Sequence, residues 1–130
     1  MITKSNPPRR RDNLGRVFWI TGLAGSGKST IAKQLAFELR VRGEKIIYLD
    51  GDSVRETIAE NLGHSVNERL RLARRYGRFC KMLSDQGIWV VSAFMALFHE
   101  VQRWNRANIG DYTEILVSVP MSELILRDQK

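Results

Sequence analysis

The sequence predicts an α/β fold of three layers, a central parallel sheet flanked by helices on both faces. Three observations predict it. Short apolar, β-rich runs alternate with longer stretches of helical periodicity, the pattern of βαβ units joined by right-handed crossovers. The apolar runs are nearly continuous, as strands buried on both faces are. A glycine-rich segment joins the first of these runs to the first long helix, as in the P-loop NTPase fold.

The elements follow in chain order. Residues 1–14 carry Lys4, Pro7, Pro8 and Arg9 to Arg11 against Asp12, with few apolar residues. They predict a flexible basic arm ahead of one domain over 15–130. Val17 to Thr21 (VFWIT) is a buried strand ending at a glycine. From Lys28 to Arg42, the apolar residues Ile31, Ala32, Leu35, Ala36 and Leu39 recur at helical spacing, and Gly43 supplies the stop. Lys45 to Leu49 (KIIYL) is a second strand, closed by Asp50. Asp52 or Ser53 caps a short helix to about Asn61, broken by Gly63. A long helix runs from about Val66 to Asp85, with Leu70, Ala73, Gly77, Cys80 and Leu83 on one face. Gly87 ends it, and Ile88 to Phe94 is a third strand. Phe98 to Ala107 is helical, Glu114 to Val119 is a fourth strand, and Pro120 opens a last helical piece.

Composition narrows the function classes. A chain of 130 residues is enough for one domain. No apolar run approaches the ~20 residues of a membrane span. The first residues lack the apolar core of a signal peptide, so a cytoplasmic location is expected. One cysteine, Cys80, excludes an internal disulfide and a cysteine-based zinc site. It reads as a small buried apolar residue. His64 and His99 have no third ligand nearby and predict no metal centre of their own. The net charge of +7 and the pI near 10.1 favour anionic partners. Nucleic acid is not the expected one, because the basic residues gather in the arm without interleaved aromatics.

Gly22-Leu23-Ala24-Gly25-Ser26-Gly27-Lys28-Ser29 fits G-x-x-x-x-G-K-[ST] without a gap, between a strand and a helix. Gly22, Gly25, Ser26 and Gly27 let successive N–H groups point inward as an anion nest, and the helix N-terminus adds partial positive charge. Lys28 reaches the β- and γ-phosphates, Ser29 is placed for Mg²⁺, and Thr30 lies toward the α-phosphate. The motif is specific for nucleotide phosphates. It does not by itself separate a kinase from a GTPase or an ATPase. The third strand carries Ser92 where a Walker-B aspartate would stand, and no guanine-reading N-K-x-D sequence occurs.

At the carboxyl end of the second strand stands Asp50-Gly51-Asp52-Ser53-Val54-Arg55. Ligands bind at that edge of an open α/β sheet. Phosphoryl transfer to an alcohol needs a carboxylate near the acceptor hydroxyl and cations for the acceptor's own anionic groups. Two aspartates and an arginine supply both.

Together these residues resemble the adenylylsulfate kinase (APS kinase) family, over about Arg16 to Lys130. Phe18 to Thr30 (FWITGLAGSGKST) is similar to the family's opening. Leu49 to Arg55 resembles its L-D-G-D-N-x-R loop, and Leu62 to Arg69 its L-G-F-S-x-x-D-R segment. Ser92 through His99 corresponds to S-x-F-I-S-P-[YF]-R, and Arg127 to Lys130 to R-D-P-K. The resemblance implies an ATP- and Mg²⁺-dependent kinase that phosphorylates the 3′-hydroxyl of adenylyl sulfate or a closely related nucleotide, as in sulfate activation. It implies Asp52 as the base or hydroxyl orienter, with Asp50 assisting through the metal or its water shell. Arg55 and Arg69 would hold the acceptor's acidic end, Phe98 would belong to the acceptor region, and Arg127 to the nucleotide side. A homodimer stays open.

The sequence departs from the family mainly on the acceptor side. The loop asparagine is Ser53, and an aromatic wall residue is His64. Arg71 and Leu72 replace Glu-Asn, Ala96-Leu97 replaces Ser-Pro, and His99 replaces arginine. Discrimination rests largely on polar acceptor contacts, so these changes leave room for a different APS-like acceptor. The family also continues past R-D-P-K into a basic lid, so the reading expects a C-terminally truncated domain, and a catalytically idle nucleotide-binding module remains an alternative.

Overall fold

A computed structural model of the chain describes residues 2–5, 14–23, 25–94 and 98–128. In order, the elements are β1 (Ile2–Ser5), β2 (Val17–Thr21), α1 (Lys28–Val41), β3 (Ile46–Asp50) and α2 (Gly51–Ile58). Then come α3 (Val66–Ser84), β4 (Trp89–Ala93), α4 (His99–Asn108), β5 (Tyr112–Leu116) and α5 (Met121–Asp128). No described helix is long and apolar enough to cross a membrane.

The sheet order is β1-β5-β2-β4-β3, with β2 paired in parallel to both β4 and β5, and β3 in parallel to β4. The sheet is not wholly parallel: β1 pairs antiparallel with β5, and Lys4 stands opposite Glu114. This corrects the expectation of a flexible arm for Ile2–Ser5. The arm was inferred from the prolines and arginines of residues 7–11, which lie outside the described residues. Ile2 and Thr3 are β-branched, and β5 would otherwise present an open edge of backbone donors and acceptors. Ser5 and Thr113 add a hydroxyl–hydroxyl bond of 3.0 Å.

β5 also begins two residues earlier than its apolar run suggested. The Val17 N–H bonds the Asp111 carbonyl at 2.9 Å, which sets the register before the apolar stretch begins.

Helices cover both faces. On one face, Val17, Trp19, Val90 and Tyr112 of the sheet pack with Ala73, Tyr76 and Cys80 of α3 and Val101 of α4. On the other, Ile20, Val91 and Val117 pack with Ala32, Ala36 and Leu39 of α1. Trp19, Tyr76 and Tyr112 are fully buried. Burying about 150–250 Å² each, they contribute roughly 4–6 kcal/mol apiece before chain entropy is charged against them. Cys80 is fully buried, as expected, and burial pushes its thiol pKa up.

Gly77 lets α3 and α4 approach: a Cβ there would lie 2.4 Å from Asn105 Oδ1. The three layers therefore put the carboxyl ends of β2, β3 and β4 at one rim, where the loops of interest begin.

Candidate nucleotide and acceptor site

β2 runs straight into the glycine-rich loop. Gly22 is pressed so closely on the Val117 carbonyl and Ser26 Oγ, both 2.7 Å from a notional Cβ, that a side chain would force the loop apart. Gly25 and Gly27 have φ of 80° and 92°, a region that favours glycine. The Ser26 N–H closes the turn on the Leu23 carbonyl at 3.1 Å.

α1 then starts at Lys28. No side chain caps it, and no acidic residue stands in its first turn. The first N–H groups of a helix lack intrahelical partners, so they and the helix dipole are left facing an anion. Gly25, Gly27, Lys28, Ser29 and Thr30 line an open bowl of about 360 Å³. Gly22 and Ser26 lie buried behind it. Ser26 Oγ is buried with no hydrogen-bond partner among the described residues. Ala24 lies outside them.

The acidic loop sits on the neighbouring rim. Asp50 ends β3 in register with Ala93 of β4. It is the residue from which α2 departs, in extended conformation, and it accepts a 3.4 Å bond from Ser53 Oγ. The helix thus begins before Asp52 and Ser53, which were expected to cap it. Both fall within its first turn and are exposed. Gly51 is backed by Phe94, whose Cδ2 would be 2.9 Å from a Cβ.

Tyr48, two residues before Asp50, was passed over in the sequence. Its side chain leaves the same face as Asp50 and packs toward α1. Burial, then the nearby Asp50 carboxylate, push its pKa up.

Beneath the rim lies an aromatic group. The Tyr76 and Phe94 rings stack at 4.6 Å, and Trp19 meets Tyr76 edge-on at 5.3 Å.

Arg55, expected to hold the acceptor's acidic end, also makes contacts within the fold. Its Nη2 donates to the Leu62 carbonyl at 2.6 Å and the Gly63 carbonyl at 2.5 Å. The guanidinium braces the turn between α2 and α3. Glu68 holds the same turn from the other side. It accepts from the Gly63 N–H and, at 2.8 Å, from Ser65 Oγ, while its own N–H donates to Ser65 Oγ at 3.2 Å. Ser65 thus caps α3 as in one half of a capping box, while Glu68 reaches back to the Gly63 N–H. The Gly63 bond foremost, then the Ser65 hydroxyl, holds the Glu68 pKa below the usual carboxylate value. His64 is exposed at the braced turn, and Arg69 is exposed in the first turns of α3.

The other arginines of α3 divide. Arg74 pairs with Glu100, and Arg75 donates to the Ile58 carbonyl at 3.4 Å. Phe98 stands at the start of α4, half-buried against the core. Residues 95–97, which include the Ala96-Leu97 departure, lie outside the described residues. Arg127 falls in the last turn of α5.

The bowl suits a nucleotide phosphate chain with its cation. Among the described residues, no group of three or more His, Cys, Asp or Glu could hold a metal alone. Ser29 and Asp50 offer hard oxygens of the kind Mg²⁺ takes when phosphates supply the remaining ligands.

A family model described as adenylylsulphate kinase matches residues 14–130. The chain is 41% identical over 117 residues to a cytidine diphosphoramidate kinase of Campylobacter jejuni, covering 88% of this chain and 66% of that protein. It is 38% identical over 132 residues to an adenylyl-sulfate kinase of Bacteroides fragilis, covering 100% of this chain and 65% of that protein. It superposes on the APS kinase CysC of Mycobacterium tuberculosis, solved with AMPPNP and APS, with TM-score 0.82 and 31% identity, over 95% of this chain and 71% of that one. The chain thus spans slightly under two thirds of the length of these curated relatives.

Proposed function

The chain belongs to the adenylylsulfate kinase family, and from that premise we propose that it takes part in an ATP-dependent transfer of the γ-phosphoryl group to the 3′-hydroxyl of an APS-like nucleotide in the cytoplasm. The observation that carries this reading is the uncapped N-terminus of α1, set behind left-handed Gly25 and Gly27 and flanked by Lys28 and Ser29. Such a bowl is made for a phosphate chain, and half-buried Asp50 and exposed Asp52 lie at the same carboxyl-end rim of the sheet, one strand away across β4.

The roles divide by chemistry. Backbone N–H groups of Gly25 to Thr30 hold the β- and γ-phosphates, and Lys28 offsets charge on the oxygens that gain it during transfer. Ser29 and Asp50 hold the magnesium ion that travels with ATP. When bound, that ion neutralises the phosphate oxygens. Asp52 accepts or orients the acceptor hydroxyl proton. Arg69 meets the acceptor's acidic end. Arg55, with its Nη2 on two carbonyls, shapes the turn that carries His64. Phe98 lines the acceptor side, and Arg127 belongs to the nucleotide side.

A second acceptor is favoured by one observation. The relative at 41% identity is a cytidine diphosphoramidate kinase. The departures from the APS kinase pattern, Ser53, His64, Ala96-Leu97 and His99, fall on the acceptor side. We therefore weigh adenylyl sulfate against a cytidine nucleotide bearing a phosphoramidate. Profiling ADP release with each acceptor decides between them, with phosphorus NMR locating the new phosphate on the 3′-oxygen. No ADP from any nucleotide with a free 3′-hydroxyl would leave a nucleotide-binding module and no kinase.

A further inference from the structure

We propose that the cleft between α4 and the β1–β5 edge of the sheet is a second anion site, built for one tetrahedral oxyanion of the phosphate or sulfate class. It is separate from the phosphate bowl, and it stands whether or not the proposed transfer reaction does.

The sheet supplies the floor. Lys4 of β1 stands opposite Glu114 of β5, and Leu116 stands opposite Thr21, the last residue of β2. Strand side chains alternate between faces, so Glu114 and Leu116 share the face on which Tyr112 packs with Val101 of α4. The helix supplies the roof. His99, Gln102 and Arg106 recur at helical spacing and line the cleft with Lys4, Thr21, Glu114 and Leu116. α1 packs on the other face of the sheet. The cleft encloses about 170 Å³, below the roughly 300 Å³ at which pockets begin to enclose a drug-sized ligand. It has room for an anionic group, free or at the end of a larger molecule.

Charge and hydrogen bonding set the ligand's chemistry. Arg106 Nη1 meets the two Glu114 oxygens at 3.0 and 2.8 Å, and the Tyr112 hydroxyl donates to one of them at 3.0 Å. The carboxylate of the cleft is therefore buried and already satisfied. Lys4 and Arg106 against Glu114 leave one net positive charge. Among the described residues, the side chains of Lys4, His99 and Gln102 make no hydrogen bond or ion pair. An ammonium, an imidazole and an amide thus line one small space with their donors unspent. Such groups gain most from a charged ligand that accepts from all of them. A tetrahedral oxyanion presents acceptors on every side. Bound there, it ties α4 to β1 and β5, directly below Gly22, where the phosphate loop begins.

Histidine proton NMR tests this, because the chain has two histidines and one of them lines the cleft. AMPPNP with magnesium is kept in excess to fill the bowl. Sodium sulfate or sodium phosphate is titrated against sodium chloride at matched ionic strength and fixed pH. The His99 resonances, assigned with His99→Gln, should move and saturate with sulfate or phosphate. Those of His64 should stay, and chloride should move neither. Lys4→Met and Gln102→Leu should each weaken the affinity roughly tenfold or more, the worth of a hydrogen bond to a charged group. Arg78→Ala, outside the cleft, should bind as the parent does, and melts without added anion show that each variant is folded. CMP, read at His99, separates the two sources of the anion. Tighter binding than phosphate marks the end of a larger molecule, and equal or weaker binding marks the free ion. Three results would overturn the inference: a His99 drift that never saturates, the same drift in chloride, or unchanged affinity in both cleft variants.

Discussion

The Tyr76 hydroxyl donates to the Leu49 carbonyl at 2.8 Å, tying the middle of α3 to the strand end one residue before Asp50. The bond joins a fully buried ring to the rim of the proposed site. Tyr76→Phe keeps the stacking with Phe94 and leaves that carbonyl without its partner. It should cost about 0.5–1.5 kcal/mol, lowering the melting temperature by a few degrees. If Asp50 depends on this tie, turnover should fall by more than stability does. Thermal melts beside steady-state assays check both.

Lys28→Ala removes the ammonium from the bowl while leaving the backbone nest in place. Losing one preformed charge from a phosphoryl-transfer site costs on the order of 10²–10³ in turnover. The melting temperature should hardly move, because Lys28 is only half-buried. Unchanged turnover would show that the bowl is not where phosphate is handled.

Asp52→Asn keeps the shape of an exposed first-turn residue and removes its charge. Phosphoryl transfer should fall roughly 10²–10⁴-fold, the usual worth of a positioned base. AMPPNP affinity should stay within a few-fold, since phosphate binding rests on the other loop. Persistent transfer would move the base assignment to Asp50.

Glu68 links the Gly63–Ser65 turn to pH. Its folded pKa is depressed, by the Gly63 N–H first and the Ser65 hydroxyl second. A depressed carboxylate contributes stability that is present above its unfolded pKa and lost as pH falls through the folded value. Melting temperature should therefore decline as pH drops below the ordinary glutamate range of about 4.3. In Glu68→Gln that component of the decline should disappear, and the acceptor KM should rise at neutral pH as the turn loosens. A pH series of melts on both proteins reads the difference.

Much of this was legible in the sequence because the signals were local. The alternation of apolar runs with helical periodicity gave β2, β3, β4 and the long helices to within a residue or two. The phosphate-loop glycines were readable because positive φ leaves few other residues. What escaped notice was set by contacts distant along the chain. β1 exists because β5 has an open edge over a hundred positions away, so its four residues looked like part of a charged arm. Arg55 looked like a ligand for an anion. It also finds two carbonyls, in a turn whose path no periodicity reveals.

The contact between Gly77 and Asn105 gives the sharpest packing prediction, because two effects of opposite sign meet there. In an isolated helix, alanine is favoured over glycine by about 0.8–1.0 kcal/mol. In this fold the added Cβ would lie 2.4 Å from Asn105 Oδ1. That oxygen cannot easily swing aside. Asn105 is fully buried, and its Nδ2 is engaged by the Tyr112 hydroxyl at 3.3 Å. Overpacking of this kind costs typically 1–3 kcal/mol, so Gly77→Ala should destabilise on balance, by up to about 2 kcal/mol. Replacing the amide as well separates the two effects. In Gly77→Ala with Asn105→Ala the clash is gone, a buried oxygen without a partner is removed, and Tyr112 keeps its 3.0 Å bond to Glu114. The double variant should therefore be more stable than Asn105→Ala alone, recovering the helix preference for alanine. Chemical denaturation of the four proteins measures the coupling directly. A single Gly77→Ala variant as stable as the parent would mean that α3 and α4 separate without cost, and that their close approach at this point is not enforced by packing.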